Sequence, residues 1–322
     1  MSLETEIPTA TPRMAAGRAR RIRSRRTGHA PGHRRRMIFV AVCLTPILAL
    51  FAIFSFAPIA MVIWLSVHHS NDGSLDAPYV GLHYYNYAFT QDDLFTTSLV
   101  NTFKYVAVSV PLNIVISLPI AIGLNNIKRL RAFFRSSFFL PTVASAVAVS
   151  LVWLPIYDPQ AGWLNAALDK LGLPTESWLG DPSTALWSVM VAAVWQDLGY
   201  NIIVFLAGLQ SIPSDFYDAA KVDGAGPWSR AWHITLPLLQ RTFVFVLVLT
   251  IISYMQEFTH IQVMTGGGPI DSSRTLVLHI YETAFGTAPL LGYGSAVSLV
   301  LMGIILIITL IQLRLLRQRW EY

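Results

Sequence analysis

The sequence has little charge and almost no cysteine. Only 13% of its 322 residues are charged, against about a quarter in an ordinary soluble domain, whereas 54% are hydrophobic. This scarcity excludes a conventional water-soluble fold and indicates a bilayer as the solvent. The single cysteine, Cys43, excludes a disulfide within the sequence. Because Cys43 lies in an apolar stretch, we expect it to act as a small apolar side chain in the core or facing lipid, with no role in chemistry.

Motifs for catalysis are also missing. The Walker A pattern G-x-x-x-x-G-K-[ST] does not occur, so the sequence has no phosphate cradle for ATP. The G-x-S-x-G and H-E-x-x-H patterns are absent too, and no Cys or His cluster has metal-ligand spacing. We therefore predict that the sequence carries neither an enzyme active site nor a metal site.

Six apolar stretches, each roughly 20 residues or more, are long enough to cross about 30 Å of hydrocarbon. Each is expected to be a helix, because backbone groups in lipid must be satisfied within the segment. Strands of a barrel would alternate apolar and polar residues, and these stretches do not. The predicted fold class is an all-α integral membrane protein with six transmembrane helices, at about 37–67, 99–124, 136–157, 184–209, 238–263 and 290–313.

The basic residues are concentrated on one side of this topology. If residue 1 is cytoplasmic, nearly all of the 23 Lys and Arg fall in the N-terminal tail, in two inner loops and after the last span. The exceptions are Lys104, Lys170 and Arg274. The positive-inside rule therefore predicts a multi-pass protein with both termini in the cytoplasm.

Residues 1–36 form a separate, basic region. They hold ten arginines and almost no large apolar side chains, which predicts a disordered cytoplasmic tail. A nucleic-acid site would also be rich in arginine, but an arm beside an anionic leaflet explains the same residues. We therefore expect contact with membrane lipid, no nucleic-acid partner, and a transmembrane domain over residues 37–322.

The inner loop at about 210–239 is too polar to cross the membrane and too patterned for a random linker. Pro213 is expected to end the incoming helix. Either Ser214 or Asp215 is then predicted to cap a short helix that runs to about Val222.

A sharp turn is predicted directly after this short helix. Asp223 and Gly224 provide the signal, because aspartate bonds its own backbone and glycine tolerates a positive φ. Another helical turn or two is expected at 228–234, before Pro237 opens the fifth span. The loop is therefore predicted to be a compact protrusion beneath the membrane.

Several stretches in and around this loop resemble a known family. The runs D-A-A-K-V-D-G-A at 218–225 and I-T-L-P at 234–237 resemble the EAA loop of ABC importer permeases. The branch that they resemble is the carbohydrate-uptake branch, of the maltose and glycerol-3-phosphate type. The runs A-G-L-Q-S-I-P at 207–213 and T-G-G-G-P at 265–269 resemble the same branch. Asp218 departs from the usual Glu of the motif, but keeps its charge.

The resemblance covers nearly the whole chain from about residue 37 to the end, and it implies the type I ABC importer permease fold. In that family the loop is a coupling element that seats in a groove of a separate ATPase. The residues that the resemblance assigns to this contact are Asp218, Ala219, Ala220, Asp223, Gly224 and Ala225.

The same resemblance implies a set of partners. ATP and Mg would be bound by an ATPase subunit dimer, and this chain would hold no cofactor of its own. A second homologous permease and an extracytoplasmic solute-binding protein would complete the transporter. Its location would be the bacterial inner membrane.

Polar residues at membrane depth are candidate substrate contacts, because ionisable groups cost about 2.5–3.5 kcal/mol there on insertion scales. Amides, carboxylates and aromatic rings are what a sugar needs. In the fourth span the candidates, predicted to form one polar stripe at four-residue spacing, are Trp195, Gln196, Asp197, Tyr200 and Asn201. In the fifth span they are Tyr254, Gln256 and Glu257, with Ser253 and His260 beside them.

Several readings of these polar residues stay open. They could be polar contacts that only hold helices together. They could also form the ion relay of a secondary carrier, with Asp197, Glu257 and His260 as its members. A sugar phosphate or glycerophosphodiester would want Lys or Arg near the pathway, and only Lys104 and Arg274 lie at the outer ends. The prediction is therefore an ATP-driven importer subunit that forms half of a pathway for a sugar or sugar derivative.

Overall fold

The computed structural model describes residues 32–74, 76–127 and 129–316, with side chains described from Arg36 onward. Contacts divide the chain into two units, residues 1–57 and 58–322. The predicted disordered tail falls almost wholly outside the described residues and stays a prediction. The first described helix begins at Gly32.

In the first unit the described part is helical throughout. Helix α1 (Gly32–Phe51) contains Pro46 and continues into a π-helical turn, Ala52–Phe56. Most of its apolar side chains are exposed. Exposed apolar surface along a whole helix is expected where acyl chains, not water, are the solvent.

The helices that follow pack without any strand longer than an isolated bridge in the described part of the chain. A π-helical turn, Ala231–Thr235, separates α10 from α11. The helices are α2 (Ala57–Leu65), α3 (His83–Thr90), α4 (Asp93–Asn126), α5 (Arg131–Val143), α6 (Ala146–Ile156), α7 (Trp163–Lys170), α8 (Ala185–Gln210), α9 (Ser214–Val222), α10 (Pro227–Arg230), α11 (Leu236–Leu238), α12 (Gln240–Met255), α13 (Thr259–Met264), α14 (Leu276–Phe285) and α15 (Leu291–Leu315).

Five helical stretches of the described residues are long and apolar enough to cross a membrane, and the bent pair α5 and α6 brings the number to as many as six. Each of these stretches overlaps one predicted span. The all-α membrane fold class is confirmed. The five are Arg36–Leu65, Asp93–Asn126, Ala185–Gln210, Gln240–Met264 and Leu291–Leu315.

Two predicted spans are interrupted in ways that the sequence analysis missed. The third predicted span, at about 136–157, is not one continuous helix, because α5 and α6 meet at 96°. The chain is extended at Ala144, a few residues after Pro141, which removes a backbone donor from the helix. In the fifth span the helix stops at Met255 and resumes at Thr259. Both interruptions lie beside the polar residues of the candidate site.

Helix α8 is the most buried of the membrane helices and packs against α4, α5 and α12. The face of α4 that turns inward carries small or polar side chains, which let membrane helices approach closely. All of them are buried, and they are Ser98, Asn101, Thr102, Ser109, Asn113 and Ser117. Of the polar candidates of α8, Gln196 and Asn201 are buried inside the bundle, Asp197 is half-buried, and Trp195 and Tyr200 are exposed.

Gly199 sets the distance between α5 and α8. A side-chain carbon built on Gly199 would collide with the backbone carbonyl of Phe138. Gly199→Leu is therefore expected to push the helices apart and to lower the free energy of unfolding by about 1–3 kcal/mol, the usual cost of overpacking. Thermal unfolding of the purified protein in detergent measures the loss. The matched control is Gly303→Leu in α15, where nothing lies within 4 Å, and equal losses in both variants would contradict the packing account.

Candidate functional site

A cavity of about 250 Å³ lies between α5, α8 and α12, at the middle of the spans. Four of its side chains are hydroxyls or phenols, one is an amide and one is a carboxylate. No basic side chain among the described residues lines it. The lining consists of Thr142, Asp197, Tyr200, Asn201, Leu249, Thr250 and Ser253.

A buried hydrogen-bond network supports one wall of this cavity. Asn201 Nδ2 donates to Asn113 Oδ1 at 2.7 Å and to Thr250 Oγ1 at 3.0 Å. Asn113 Nδ2 in turn donates to the phenol oxygen of Tyr254 at 2.9 Å. All four side chains are buried, so each bond is protected from competing water. The network joins α4, α8 and α12 and fixes the orientation of Asn201.

Gln196 hydrogen-bonds to the backbone at the break between α5 and α6. Its Nε2 donates to the carbonyl of Ala144 at 2.9 Å, and Thr142 Oγ1 donates to the carbonyl of Gln196 at 2.7 Å. A backbone carbonyl freed by a helix break must find a new donor at membrane depth, since there is no bulk water to serve it. The side chain of Gln196 supplies that donor.

The same glutamine also reaches the second helix break. Gln196 Oε1 lies 2.8 Å from His260 Nε2, and His260 Nδ1 lies 3.0 Å from Glu257 Oε1. Because the amide nitrogen of Gln196 already faces Ala144, its oxygen faces the imidazole and can only accept. His260 Nε2 therefore carries a proton, and the contact with the Glu257 carboxyl needs one more. The backbone N–H of His260 also donates to Glu257 Oε1 at 3.1 Å, so the carboxyl is held against the start of α13.

The polar stripe predicted on α8 is divided among different environments. Asp197, Tyr200 and Asn201 line the cavity. Gln196 does not, because both ends of its amide are engaged at the helix breaks. Trp195 lies against Trp153, with ring centroids 5.8 Å apart.

The candidates of the fifth span are divided as well. Tyr254 lies behind the cavity wall on Asn113, and Glu257 is held by His260. Gln256 faces an apolar groove formed with α14 and α15. Their predicted role as substrate contacts stays a prediction.

Three cavity residues were missed by the sequence analysis: Thr142, Leu249 and Thr250. Thr142 comes from the third span, whose break could not be read from its apolar pattern. Thr250 precedes Ser253 and Tyr254 by three and four residues, so helical spacing would have found it.

The loop at 210–239 folds largely as predicted. Helix α9 covers Ser214–Val222, but the predicted cap is wrong: the helix starts directly after Pro213, and no side chain caps it. Because Ser214 and Asp215 already lie in the first helical turn, neither is placed to cap it. Asp218 instead pairs with Lys221 at 2.7 Å on the exposed surface.

The turn that ends α9 depends on Gly224. Its φ is +77°, in the left-handed region, and its N–H donates to the carbonyl of Lys221 at 3.1 Å. Ala225 N–H donates to the carbonyl of Ala220 at 2.8 Å. The predicted turn is confirmed.

Around this turn the loop exposes large apolar side chains. Val222 is 89% exposed and Trp228 is 76% exposed. Exposed apolar groups clustered on a protrusion are typical of a contact surface.

Comparison with known proteins assigns the chain to a family. A family model described as "Binding-protein-dependent transport system inner membrane component" matches residues 113–321. That stretch includes the whole cavity lining and the loop. The chain belongs to this family of transport permeases.

Characterised members of the permease family are similar along most of their length. The sn-glycerol-3-phosphate transport system permease protein UgpA of Yersinia pestis is 32% identical over 280 residues, covering 86% of this chain and 93% of UgpA. The arabinooligosaccharides transport system permease protein AraP of Bacillus subtilis is 32% identical over 273 residues, covering 84% and 86%.

The fold is shared with a solved transporter. A chain of a bacterial alginate ABC transporter, crystallised in complex with an alginate pentasaccharide-bound periplasmic protein, matches with a TM-score of 0.78 at 22% identity. The match covers 88% of this permease and 95% of that chain. The predicted ABC importer permease fold is confirmed, and the family identifies the chain as a multi-pass membrane component of a binding-protein-dependent transport system.

Proposed function

We propose that this permease forms half of the translocation pathway for a neutral sugar or sugar derivative, in an ATP-driven importer of the bacterial inner membrane. The cavity at the centre of the spans carries this proposal. Its hydroxyl, amide and carboxylate groups match sugar hydroxyls, and Tyr200 offers an aromatic face for the ring. Both termini lie in the cytoplasm, on the side where the basic residues are concentrated.

The size of the cavity agrees with half a pathway. Sites for small ligands usually enclose about 300–1,000 Å³, and this cavity holds about 250 Å³. A second homologous permease supplies the facing wall. An extracytoplasmic solute-binding protein delivers the sugar, as the periplasmic protein in the alginate transporter complex supports.

The charges near the pathway favour a neutral cargo over a phosphorylated one. UgpA, named for glycerol-3-phosphate, makes a phosphate the main alternative. Arg274, however, is already held by the carboxylates of Asp271 and Glu282. Burial disfavours its charge, but these two contacts raise the pKa of Arg274 above its usual value. Lys104 is exposed on α4 and does not line the cavity.

The loop supplies the contact with the motor. An ATPase subunit dimer binds ATP and Mg and seats the exposed protrusion formed by Asp218, Ala219, Ala220, Asp223, Gly224 and Ala225. The small side chains let an ATPase groove approach the backbone, and the exposed apolar groups beside them extend the contact. ATPase closure then moves α8 and α12, the helices that the loop connects.

Geometry disfavours an ion-coupled carrier. A proton relay needs titratable groups that follow one another along the pathway. His260 contacts both Glu257 and Gln196, and neither His260 nor Glu257 lines the central cavity. Uptake that persists without ATP and collapses with the ion gradient would nevertheless identify a carrier.

Asp197→Asn tests the cavity. Removing the charge is expected to weaken sugar hydrogen bonds by about 1.5–3 kcal/mol, the value of a bond to a charged group, so uptake falls at least about tenfold. The measurement is ATP-dependent uptake by the complete transporter in proteoliposomes, with ATP hydrolysis recorded in parallel and retained. Asp169→Asn, on the exposed helix α7, is the matched control. Unchanged uptake in Asp197→Asn would contradict the proposal.

A further inference from the structure

A second polar cavity, of about 210 Å³, lies between α9, α10 and the end of α4 at Asn126. It is distinct from the central cavity and shares no residue with it. Its polar lining consists of Asn125, Asn126, Tyr217, Lys221, Arg230 and Thr235. Two of these side chains, Lys221 and Arg230, are cations, and no carboxylate of the described residues lines the cavity.

Arg230 is the least satisfied side chain of this cavity. Its Nε is buried and has no hydrogen-bond partner in the described part of the chain. A buried donor without a partner costs about 1–3 kcal/mol, and more when the group is charged. Arg230 also lines the cavity, where an acceptor from outside the chain stabilises the charge of its guanidinium.

The surroundings of the cavity are positive. Arg131 lies beside it, with Nη2 donating to the carbonyl of Asn125 at 2.6 Å and Nε to the carbonyl of Ile127 at 3.0 Å. Lys221 is paired with the exposed carboxylate of Asp218, but an ammonium group has three donors and keeps two for another acceptor. Both arginine contacts are to neutral carbonyls, so the charge of Arg131 is not neutralised by them.

We propose that this cavity binds a phosphate-bearing anion. Its volume is below the range of about 300–1,000 Å³ that is typical of sites for whole metabolites. The cavity therefore fits a single phosphate group, while the remainder of the molecule that carries the phosphate stays outside. The end of α4 is where a membrane helix leaves the bilayer, so the phosphate of an anionic lipid headgroup reaches it, as does a phosphate free in solution. The chemistry recognised is the same in both cases: a guanidinium, an ammonium and amide donors on one anion.

The position of the cavity allows a bound anion to link the loop to a membrane helix. Its wall is shared by α4, which crosses the membrane, and by α9 and α10, which belong to the loop. An anion bound by Asn125 and Arg230 together joins these elements across the cavity. Amide hydrogen exchange in the loop is therefore expected to slow when the anion binds.

The test uses the full chain in lipid nanodiscs, and needs no ATPase. Hydrogen exchange is measured over residues 214–235 in phosphatidylcholine alone, in phosphatidylcholine with phosphatidylglycerol, and in phosphatidylcholine with added inorganic phosphate. We expect about tenfold slower exchange, equivalent to one charge-assisted hydrogen bond, in one of the last two conditions. Slowing by phosphatidylglycerol identifies a lipid headgroup, and slowing by inorganic phosphate identifies a soluble anion.

Matched variants decide whether the cavity is responsible. Arg230→Gln is expected to abolish the slowing, whereas Arg314→Gln, an exposed arginine at the end of α15 that does not line the cavity, keeps it. If Arg230→Gln does not fold, Asn125→Ala replaces it with the same expected loss. No slowing in either anionic condition overturns the proposal, as does equal slowing in Arg230→Gln and in the wild type. These results leave the proposed transport function untouched, because neither depends on uptake.

Discussion

Gly224→Pro is expected to abolish ATP-driven uptake while leaving the protein inserted in the membrane. Gly224 has a φ of +77°, whereas proline is confined to about −65°. Proline also removes the N–H that donates to the carbonyl of Lys221. A local cost of about 3 kcal/mol or more falls on the turn that shapes the contact proposed for the ATPase. Uptake and co-purification of the ATPase subunits are the measurements, and both are expected to be lost.

Gly172→Pro is the matched control for this prediction. Gly172 ends α7 with a φ of +68°, and, like Gly224, has nothing within 4 Å of an added side-chain carbon. The two substitutions therefore impose the same backbone conflict in two different loops. If Gly172→Pro also loses the ATPase, the defect is one of folding in general. Wild-type uptake in Gly224→Pro would refute a coupling role for the loop.

The contrast between loop and cavity explains how much could be predicted from the sequence. The loop was predictable because its signals are local. Pro213 ends one helix, and Gly224 adopts the left-handed backbone conformation that ends the next helix in a sharp turn. Only the cap failed, because Pro213 brings the helix start forward to Ser214.

The cavity depends on contacts that no local pattern encodes. Gln196 and Ala144 are 52 residues apart, and Gln196 and His260 are 64 apart. Four-residue spacing predicted that Gln196 and Tyr200 share a helix face. Spacing does not, however, identify the groups to which Gln196 hydrogen-bonds. Because α5 ends before Ala144, the carbonyl of Ala144 has no helical partner and accepts a hydrogen bond from Gln196 instead. The side chain of Gln196 is therefore not available to the cavity. The break itself lay hidden in an apolar run that reads as an uninterrupted span.

Gln196 connects the two interruptions of the membrane helices. One end of its amide serves the carbonyl at the α5–α6 break, and the other serves His260 at the α12–α13 break. Interrupted helices at membrane depth are stable only where other protein groups satisfy their backbone, and in transporters they are found beside the substrate. The side chain of Gln196 therefore contacts both breaks, at the position next to Asp197.

His260→Leu is expected to destabilise the protein strongly. Leucine leaves the Glu257 carboxyl, whose side chain is 12% exposed, with the backbone N–H of residue 260 but without the imidazole, and it leaves Gln196 Oε1 without a donor. Breaking a buried pair by removing one member typically costs about 3–5 kcal/mol. The midpoint of thermal unfolding in detergent measures the loss.

The double variant His260→Leu, Glu257→Leu separates the pair from simple packing. It removes the stranded carboxyl and leaves only the Gln196 oxygen unpaired, a cost of about 1–3 kcal/mol. We therefore expect the double variant to be more stable than His260→Leu alone, because replacing a whole buried pair by apolar groups is often nearly neutral. Strictly additive losses from the two single variants would show that His260 and Glu257 do not act as a pair.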